Sequence, residues 1–132
     1  STHCISSAAS DVYKRQRQRH MEWDGLLPAM EAFRNAFPGF AKRGLGGSVG
    51  EVHAIEELSA RGKTSLARFY ERLDQHLADN HFIAGDNFSI ADITALCTCD
   101  FAAGAARVPM PESLSNLRRW YDEVSARPSA SA

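Results

Sequence analysis

The stretch Gly85-Asp86-Asn87-Phe88-Ser89-Ile90-Ala91-Asp92 decides the fold, because it predicts the start of a helix that the rest of the chain surrounds. Ser89 and Asp92 stand three residues apart ahead of an apolar run. This is the spacing of a capping box, with Asp in place of the more usual Glu. In that arrangement the Ser89 hydroxyl and the Asp92 carboxylate each accept a hydrogen bond from the other residue's amide. Phe88 and Ile93 stand at the positions of a hydrophobic staple, so we predict a helix with a fixed entry angle starting near Ser89.

The helix behind this motif is predicted to lie at the centre of the domain. Residues 90–103 are small and apolar on nearly all sides, which is typical of a helix enclosed by others. Taken alone, the motif also fits a well-capped core helix of any all-α protein. Cys97 and Cys99 lie two residues apart, so they should point to nearly opposite sides and cannot jointly bind a metal ion. We expect both to be buried, unreactive thiols.

Three further segments have apolar residues at helical spacing. They cover residues 17–37, 52–77 and 114–124, with steps of three and four. Ser113 or Ser115 could cap the last of them. No segment alternates with period two for long enough to be a strand. The sequence therefore predicts an all-α fold, a compact helical bundle with a buried central helix.

Two of these segments contain features that predict local geometry. Pro28 should kink or restart the first helix near Gly25, because its ring clashes with the carbonyl four residues earlier. Ser48 and Glu51 form a second possible capping box, ahead of the second helix. Gly62 falls on the buried stripe of that helix, where it costs about 1 kcal/mol relative to Ala. We therefore expect a close helix crossing at Gly62.

Composition limits the class of protein and its partners. The chain has 132 residues, a net charge of -1 and 44% hydrophobic residues, which suits one globular domain and favours neither nucleic acid nor an anionic membrane as partner. No apolar run approaches the roughly 20 residues of a membrane helix. Three cysteines without framework spacing favour a reducing compartment, and hence the cytoplasm. The Gly-rich residues 41–50 lack the flanking pattern of a phosphate-binding loop and predict a plain connection.

The first 16 residues differ from the rest of the chain. Residues 1–16 are rich in Ser and Ala, lack periodicity and offer no apolar face to bury. They are similar to translated sequencing-adaptor remnants. We expect either a non-native leader or a disordered tail here, and a domain that covers residues 17–132.

The order of the segments resembles a known family. A long helix ending in ARFYERLD (67–74) is followed by FIAGDNFSIADI (82–93), a Pro-broken loop and LRRWYDEVSARP (117–128). This order strongly resembles the C-terminal helical domain of cytosolic glutathione S-transferases, in a bacterial-looking variant. The resemblance runs from about residue 17 to the end, and EWDGLLP (22–28) looks like that domain's first helix. The capped, stapled helix start and the Trp-Tyr helix ending in Arg-Pro are its specific parts.

The resemblance implies an enzyme with a second domain. In that family a thioredoxin-like N-terminal domain binds the co-substrate glutathione and supplies the Ser, Tyr or Cys that activates its thiol. No such pattern precedes residue 17, so no catalytic residue can be placed on this chain, and the fragment itself is expected to be inactive. The implied partners are the missing thioredoxin-like domain and a second copy in a homodimer. No metal is implied.

The resemblance also suggests where the substrate lies. The family's C-terminal domain forms one wall of the pocket for the electrophilic substrate, and His20, Met21 and Asp24 are the candidate wall residues. The alternative is that these are ordinary surface and rim residues. Asp24 could also stand near the glutathione amine. Without the partner domain, apolar residues of the first helix should be exposed as a patch.

Other functions remain open at this point. The same fold could serve as a non-catalytic docking module. A relative that uses glutathione for isomerisation or reductive dehalogenation would have the same domain. His76, near the end of the second helix, is interpreted as a surface residue compatible with the helix dipole.

Overall fold

The computed structural model describes residues 2–132, with side chains from Ser7 onward. Its α-helices are α1 (Thr2–His20), α2 (Leu27–Arg34), α3 (Glu56–Asp79), α4 (Ile90–Gly104) and α5 (Ser115–Ser125). A π-helix (Met21–Leu26) joins α1 to α2, and 3-10 turns lie at Pro38–Phe40 and Pro128–Ser131. The described residues contain no strand, only two isolated bridges. The predicted all-α bundle is confirmed.

The first helical run changes register where Pro28 enters it. The Leu27 amide donates to the carbonyl of Glu22, five residues back, as in a π-helix. Pro28 has no amide hydrogen, and in a regular helix its ring would clash with the carbonyl of Asp24. The break expected near Gly25 is therefore a wider helical turn, and the run continues into α2 without a restart.

Helices α2 and α3 cross closely at Gly62, as the sequence predicts. A Cβ atom built on Gly62 would lie 2.6 Å from the carbonyl oxygen of Pro28 and 2.7 Å from the amide nitrogen of Ala32. Only glycine permits this approach. The Ser59 hydroxyl donates to the Ala32 carbonyl at 2.9 Å and satisfies a polar group in the same buried crossing.

Helix α4 is central, but one of its faces is open. It packs against the π-helix, α1, α2 and α5, and Ala91, Ala95 and Ala102 are completely buried. The expectation that α4 is enclosed on nearly all sides is wrong for the stripe that contains Ile93 and Cys97. Ile93 is 49% exposed, and the Cys97 side chain also reaches the surface.

Asp92 organises the start of α4. Its Oδ2 accepts the Ser89 amide at 2.9 Å, and the Ser89 hydroxyl lies 3.4 Å from the same oxygen, within a capping box. Its Oδ1 accepts the Ile83 amide at 3.1 Å and the Trp120 indole N–H at 2.8 Å. The carboxylate is fully buried. It therefore joins three segments of the chain, where the sequence indicated only one pairing.

The predicted capping box at Ser48 and Glu51 is wrong. The Ser48 hydroxyl donates to the Leu45 carbonyl at 2.9 Å within the loop, and α3 begins only at Glu56. The amide of Ile55, the residue just before α3, donates to the buried side chain of Asn35 at 3.0 Å. The start of this helix is thus fixed by a side chain twenty positions earlier.

The predicted caps of the last helix are also wrong. Neither Ser113 nor Ser115 occupies the cap position, which is Leu114. Instead, Asp74 on α3 accepts the amide of Leu117 at 2.9 Å. A carboxylate at this place satisfies an otherwise unpaired amide and interacts favourably with the positive end of α5.

Helix α1 includes residues expected to be a leader. The backbone of residues 2–16 is helical, and the side chains of residues 7–13 are exposed, in line with the absence of a buried face. Gln18 joins this helix to α4 through a 2.8 Å hydrogen bond to Thr94. Whether residues 1–16 are native, and whether the domain begins at residue 17, remain predictions. Within residues 2–132 no helix has the length and apolarity to cross a membrane.

Candidate functional site

A cavity of about 430 Å³ lies between the junction of α1 with the π-helix and the middle of α3. His20, Met21 and Asp24, the three residues assigned to a pocket wall from the sequence, all border it. The remaining lining residues are Arg17, Phe69, Arg72, Leu73, Gln75 and His76. The structure therefore brings the three predicted residues together on one side and adds a second side that the sequence analysis did not name.

The π-helical turn determines how the three residues are presented. Met21 is only 3% exposed and forms part of the floor, whereas His20 and Asp24 are exposed at the rim. Gly25 lies one turn further on, and a Cβ atom there would come within 2.6 Å of the Phe69 ring. The absence of a side chain at Gly25 lets that ring pack against the π-helix, so Phe69 lies at the base of the cavity. Interruptions of this type occur frequently at functional sites.

A second, smaller cavity of about 220 Å³ continues the first along α3. The two cavities share Asp24, Phe69 and Arg72, and the second adds Trp23, Pro28, Ser65 and Arg68. We call the combined depression the α1–α3 groove. Arg68 and Arg72 lie four residues apart, hence on one face of α3. This spacing was the available sequence signal for that side of the site.

His76 is a structural residue at one end of the groove. Its Nε2 lies 2.7 Å from the carbonyl oxygen of Ile83, and the ring is half-buried. Burial lowers the pKa of His76, and the positive charge of Arg17 lowers it further against the opposing effects of the Ile83 carbonyl and Asp79. His76 lies in the last turn of α3, as expected for a residue compatible with the helix dipole, but its ring is half-buried and contacts the Ile83 carbonyl instead of lying free at the surface.

The two thiols of α4 differ in environment. They point to different sides, as expected, but only Cys99 is buried, and burial raises the pKa of that thiol to about 12. Cys97 is exposed, so its predicted burial is wrong. It borders a cavity of about 290 Å³ that is also lined by Phe88 and Ile93. Phe88 packs under the guanidinium of Arg127, whose carbon lies 3.8 Å from the ring centroid, while a staple contact between Phe88 and Ile93 remains a prediction.

One face of the first helical run is apolar and exposed. Trp23 is 65% exposed and Leu27, one turn later, is 42% exposed. These apolar residues of the helix are uncovered when the chain is considered alone, whereas the expected apolar patch remains a prediction. Over the part of the chain that the structure describes, no cluster of His, Cys, Asp and Glu could hold a metal ion.

The chain belongs to the glutathione S-transferase family, as its C-terminal domain. The family model described as "Glutathione S-transferase, C-terminal domain" matches residues 56–123 of this chain. This range runs from the first residue of α3 almost to the end of α5.

Individual relatives agree with this assignment. Glutathione S-transferase 2 of Saccharomyces cerevisiae is 32% identical over 111 residues, which is 84% of this chain and 45% of the relative. The crystal structure of Gtt2 from the same yeast superposes with a TM-score of 0.77 at 28% identity and covers 89% of this chain and 53% of that one. A glutathione S-transferase domain-containing protein from Marinobacter aquaeolei gives a TM-score of 0.74 at 32% identity, over 92% of this chain and 56% of that one. The chain thus spans about half the length of the relatives it matches.

Proposed function

We propose that this chain forms the acceptor-substrate side of the active site in a glutathione S-transferase that joins the glutathione thiolate to electrophilic substrates. The observation that carries the proposal is the α1–α3 groove, where His20, Met21 and Asp24 meet the α3 side chains Phe69 and Arg72. Pockets for small molecules commonly combine an apolar floor with a few polar groups, in volumes of about 300–1,000 Å³. The larger cavity, with Met21 and Phe69 beneath charged rim residues, has this composition.

The chemistry requires a second domain. The reacting species is a thiolate, and a free thiol has a pKa of about 8.5, so the enzyme must lower that pKa with hydrogen-bond donors or positive charge. We assign this task, and most of the glutathione binding, to a thioredoxin-like domain outside this chain. Trp23 and Leu27 are exposed one helical turn apart, and this supports an additional packing partner, because adjoining exposed apolar side chains often mark interfaces. We further propose that the complete enzyme forms a homodimer and acts in the cytoplasm.

Glutathione-dependent conjugation of a chlorodinitrobenzene tests the proposal. The purified 132-residue chain should show no turnover above background. A chimera that places the N-terminal part of the Saccharomyces cerevisiae relative ahead of Arg17 should show turnover, because it combines thiol activation with a substrate wall. Turnover by the isolated chain would contradict the proposal.

The folding of the chimera must be verified separately. The Trp120 indole N–H is buried and bonded to Asp92, so its NMR signal reports whether the helical domain is intact in the chimera. A folded chimera without activity, made from an active parent, would favour the alternative that this domain is a docking module. Products of isomerisation or dehalogenation would keep the pocket assignment and change the reaction.

A further inference from the structure

We propose that the α1–α3 groove selects an electrophile that carries a carboxylate beside an apolar, ring-sized body. This inference rests on the proposed function, since it names the substrate class of the same pocket. It is carried by the uneven charge of the groove and by the apolar residues at its base.

Positive charge predominates along the groove. Arg17, Arg68 and Arg72 border it, with Asp24 as the one carboxylate among its lining residues. Among the side chains of residues 7–132, the described ion pairs involve other cations, and none of the three guanidinium groups pairs with a carboxylate. A guanidinium binds a carboxylate through two parallel hydrogen bonds, which gives both affinity and orientation. The groove therefore has free donors for an anionic group.

Arg17 adds positive charge from the α1 side of the groove. One of its terminal nitrogens lies 3.4 Å from Nδ1 of His20. The positive charge of Arg17 is also one cause of the lowered pKa of His76 on the opposite side of the cavity. An anion bound between α1 and α3 would lie in this positive field.

The apolar residues define the rest of the ligand. Met21, Phe69 and Leu73 are almost fully buried and form the base of the cavity beneath the charged rim. Arg72 borders both cavities and stands three residues after Phe69 on α3, so a carboxylate held there would lie beside the apolar base. Aromatic carboxylates combine these two properties.

Binding of an unreactive matched pair tests the inference. Titration of the 132-residue chain with 2-naphthoate and with neutral 2-naphthamide, followed by NMR at the Met21 methyl group, gives both affinities at one site. We expect naphthoate to bind at least 10-fold more tightly, equivalent to about 1.4 kcal/mol. The preference should decrease at high salt, because the interaction is electrostatic. Arg72→Gln should reduce it to less than about 3-fold, whereas Arg15→Gln, an exposed arginine of α1 outside the groove, should not.

Each other result contradicts a defined part of the inference. Equal affinities for the two compounds would overturn charge selection but leave the pocket in place. If glutathione alone shifts the Met21 signal and Arg72→Gln abolishes that shift, the anion belongs to glutathione and the electrophile assignment is wrong. If neither naphthalene compound shifts Met21, the inference fails. Activity of the chimera with a neutral electrophile then decides separately whether the proposed function also fails.

Discussion

Replacement of Asp92 by Asn should destabilise this domain strongly, because this one buried carboxylate satisfies three donors. Those donors are the amides of Ile83 and Ser89 and the indole N–H of Trp120, at 2.8–3.1 Å. An asparagine has one acceptor oxygen. It can keep the two bonds to Ile83 and Trp120, but its amide group then faces the N–H of Ser89 and leaves that donor unpaired.

The size of the effect follows from the bonds that are lost. A hydrogen bond to a charged group contributes about 1.5–3 kcal/mol, and a buried donor without a partner adds a desolvation penalty. We therefore expect Asp92→Asn to lower the free energy of unfolding by about 3 kcal/mol. Total stabilities of single domains are about 5–15 kcal/mol. In a domain of this size the change corresponds to a melting temperature lowered by roughly 10 °C.

Urea unfolding monitored by tryptophan fluorescence measures this change, because Trp120 is buried in the folded chain whereas Trp23 is already exposed. Ser89→Ala removes the hydroxyl half of the capping box, which also lies 3.4 Å from the carboxylate, and should cost about 1 kcal/mol. Asp86→Asn, at an exposed position in the preceding loop, is the matched control and should stay within about 0.5 kcal/mol of wild type. An Asp92→Asn protein as stable as the Asp86→Asn protein would refute the assigned role of Asp92.

Three further predictions concern packing, thiol reactivity and pH. Gly62→Ala should lower the free energy of unfolding in urea by about 1–3 kcal/mol, since the new methyl group meets the backbone of α2 at Pro28. A thiol reagent at pH 8, followed by peptide mapping, should modify exposed Cys97 in the native chain and leave Cys99 unmodified, because burial raises the pKa of the Cys99 thiol to about 12. Folding lowers the pKa of His76 from its usual value of 6.5. Near and below that pH, the unfolded chain therefore binds more protons than the folded chain. Stability should therefore fall as the pH decreases from 7 through that range, and His76→Gln should reduce this dependence in urea titrations at pH 7 and 5.5.

Controls separate these effects from general damage. Gly104→Ala, at a glycine with open space around it, should be tolerated, and a Gly62→Ala protein of equal stability would contradict the close crossing. Equal modification of Cys97 and Cys99 in folded protein would contradict their assigned burial. His53→Gln, in the exposed loop before α3, should leave the pH dependence unchanged. A His76→Gln protein with the wild-type dependence would show that other groups are responsible.

Local chemistry predicted the features that depend on neighbouring residues. The start of α4 at Ser89 and the break in the regular helix before Pro28 follow from steric rules and hydrogen bonds within one helical turn. The close crossing at Gly62 follows from a glycine on a buried stripe. In these cases the residues that determine the structure are adjacent along the chain, or their periodicity is itself visible.

The wrong predictions concern helix ends that distant side chains fix. The start of α3 depends on Asn35, which accepts the amide of Ile55, and the start of α5 depends on Asp74, which accepts the amide of Leu117 across 43 positions. The nearby serines have suitable chemistry for capping, but they do not reach these amides in the folded chain. The neighbouring residues do not show whether a nearby serine or a distant side chain caps the helix.

For the same reason, the sequence predicted only one of the two sides of the candidate site. Asp24 and its neighbours were proposed from the resemblance to the family, whereas Phe69 and Arg72 lie on a different helix about fifty residues later. Only the packing of the π-helix against α3, with Phe69 against Gly25, places the two sets around one groove.

The central claim is that this groove forms the wall of the electrophile pocket, and a bulky substitution at its rim tests it most directly. In the active chimera, Asp24→Trp should fill the space shared by both cavities, while Glu71→Trp changes an exposed position of α3 outside the groove. The account predicts that Asp24→Trp lowers kcat/KM for the electrophile at least 10-fold without changing the KM for glutathione, and that Glu71→Trp changes neither. Unchanged kinetics in the Asp24→Trp chimera, or a change confined to the KM for glutathione, would contradict it.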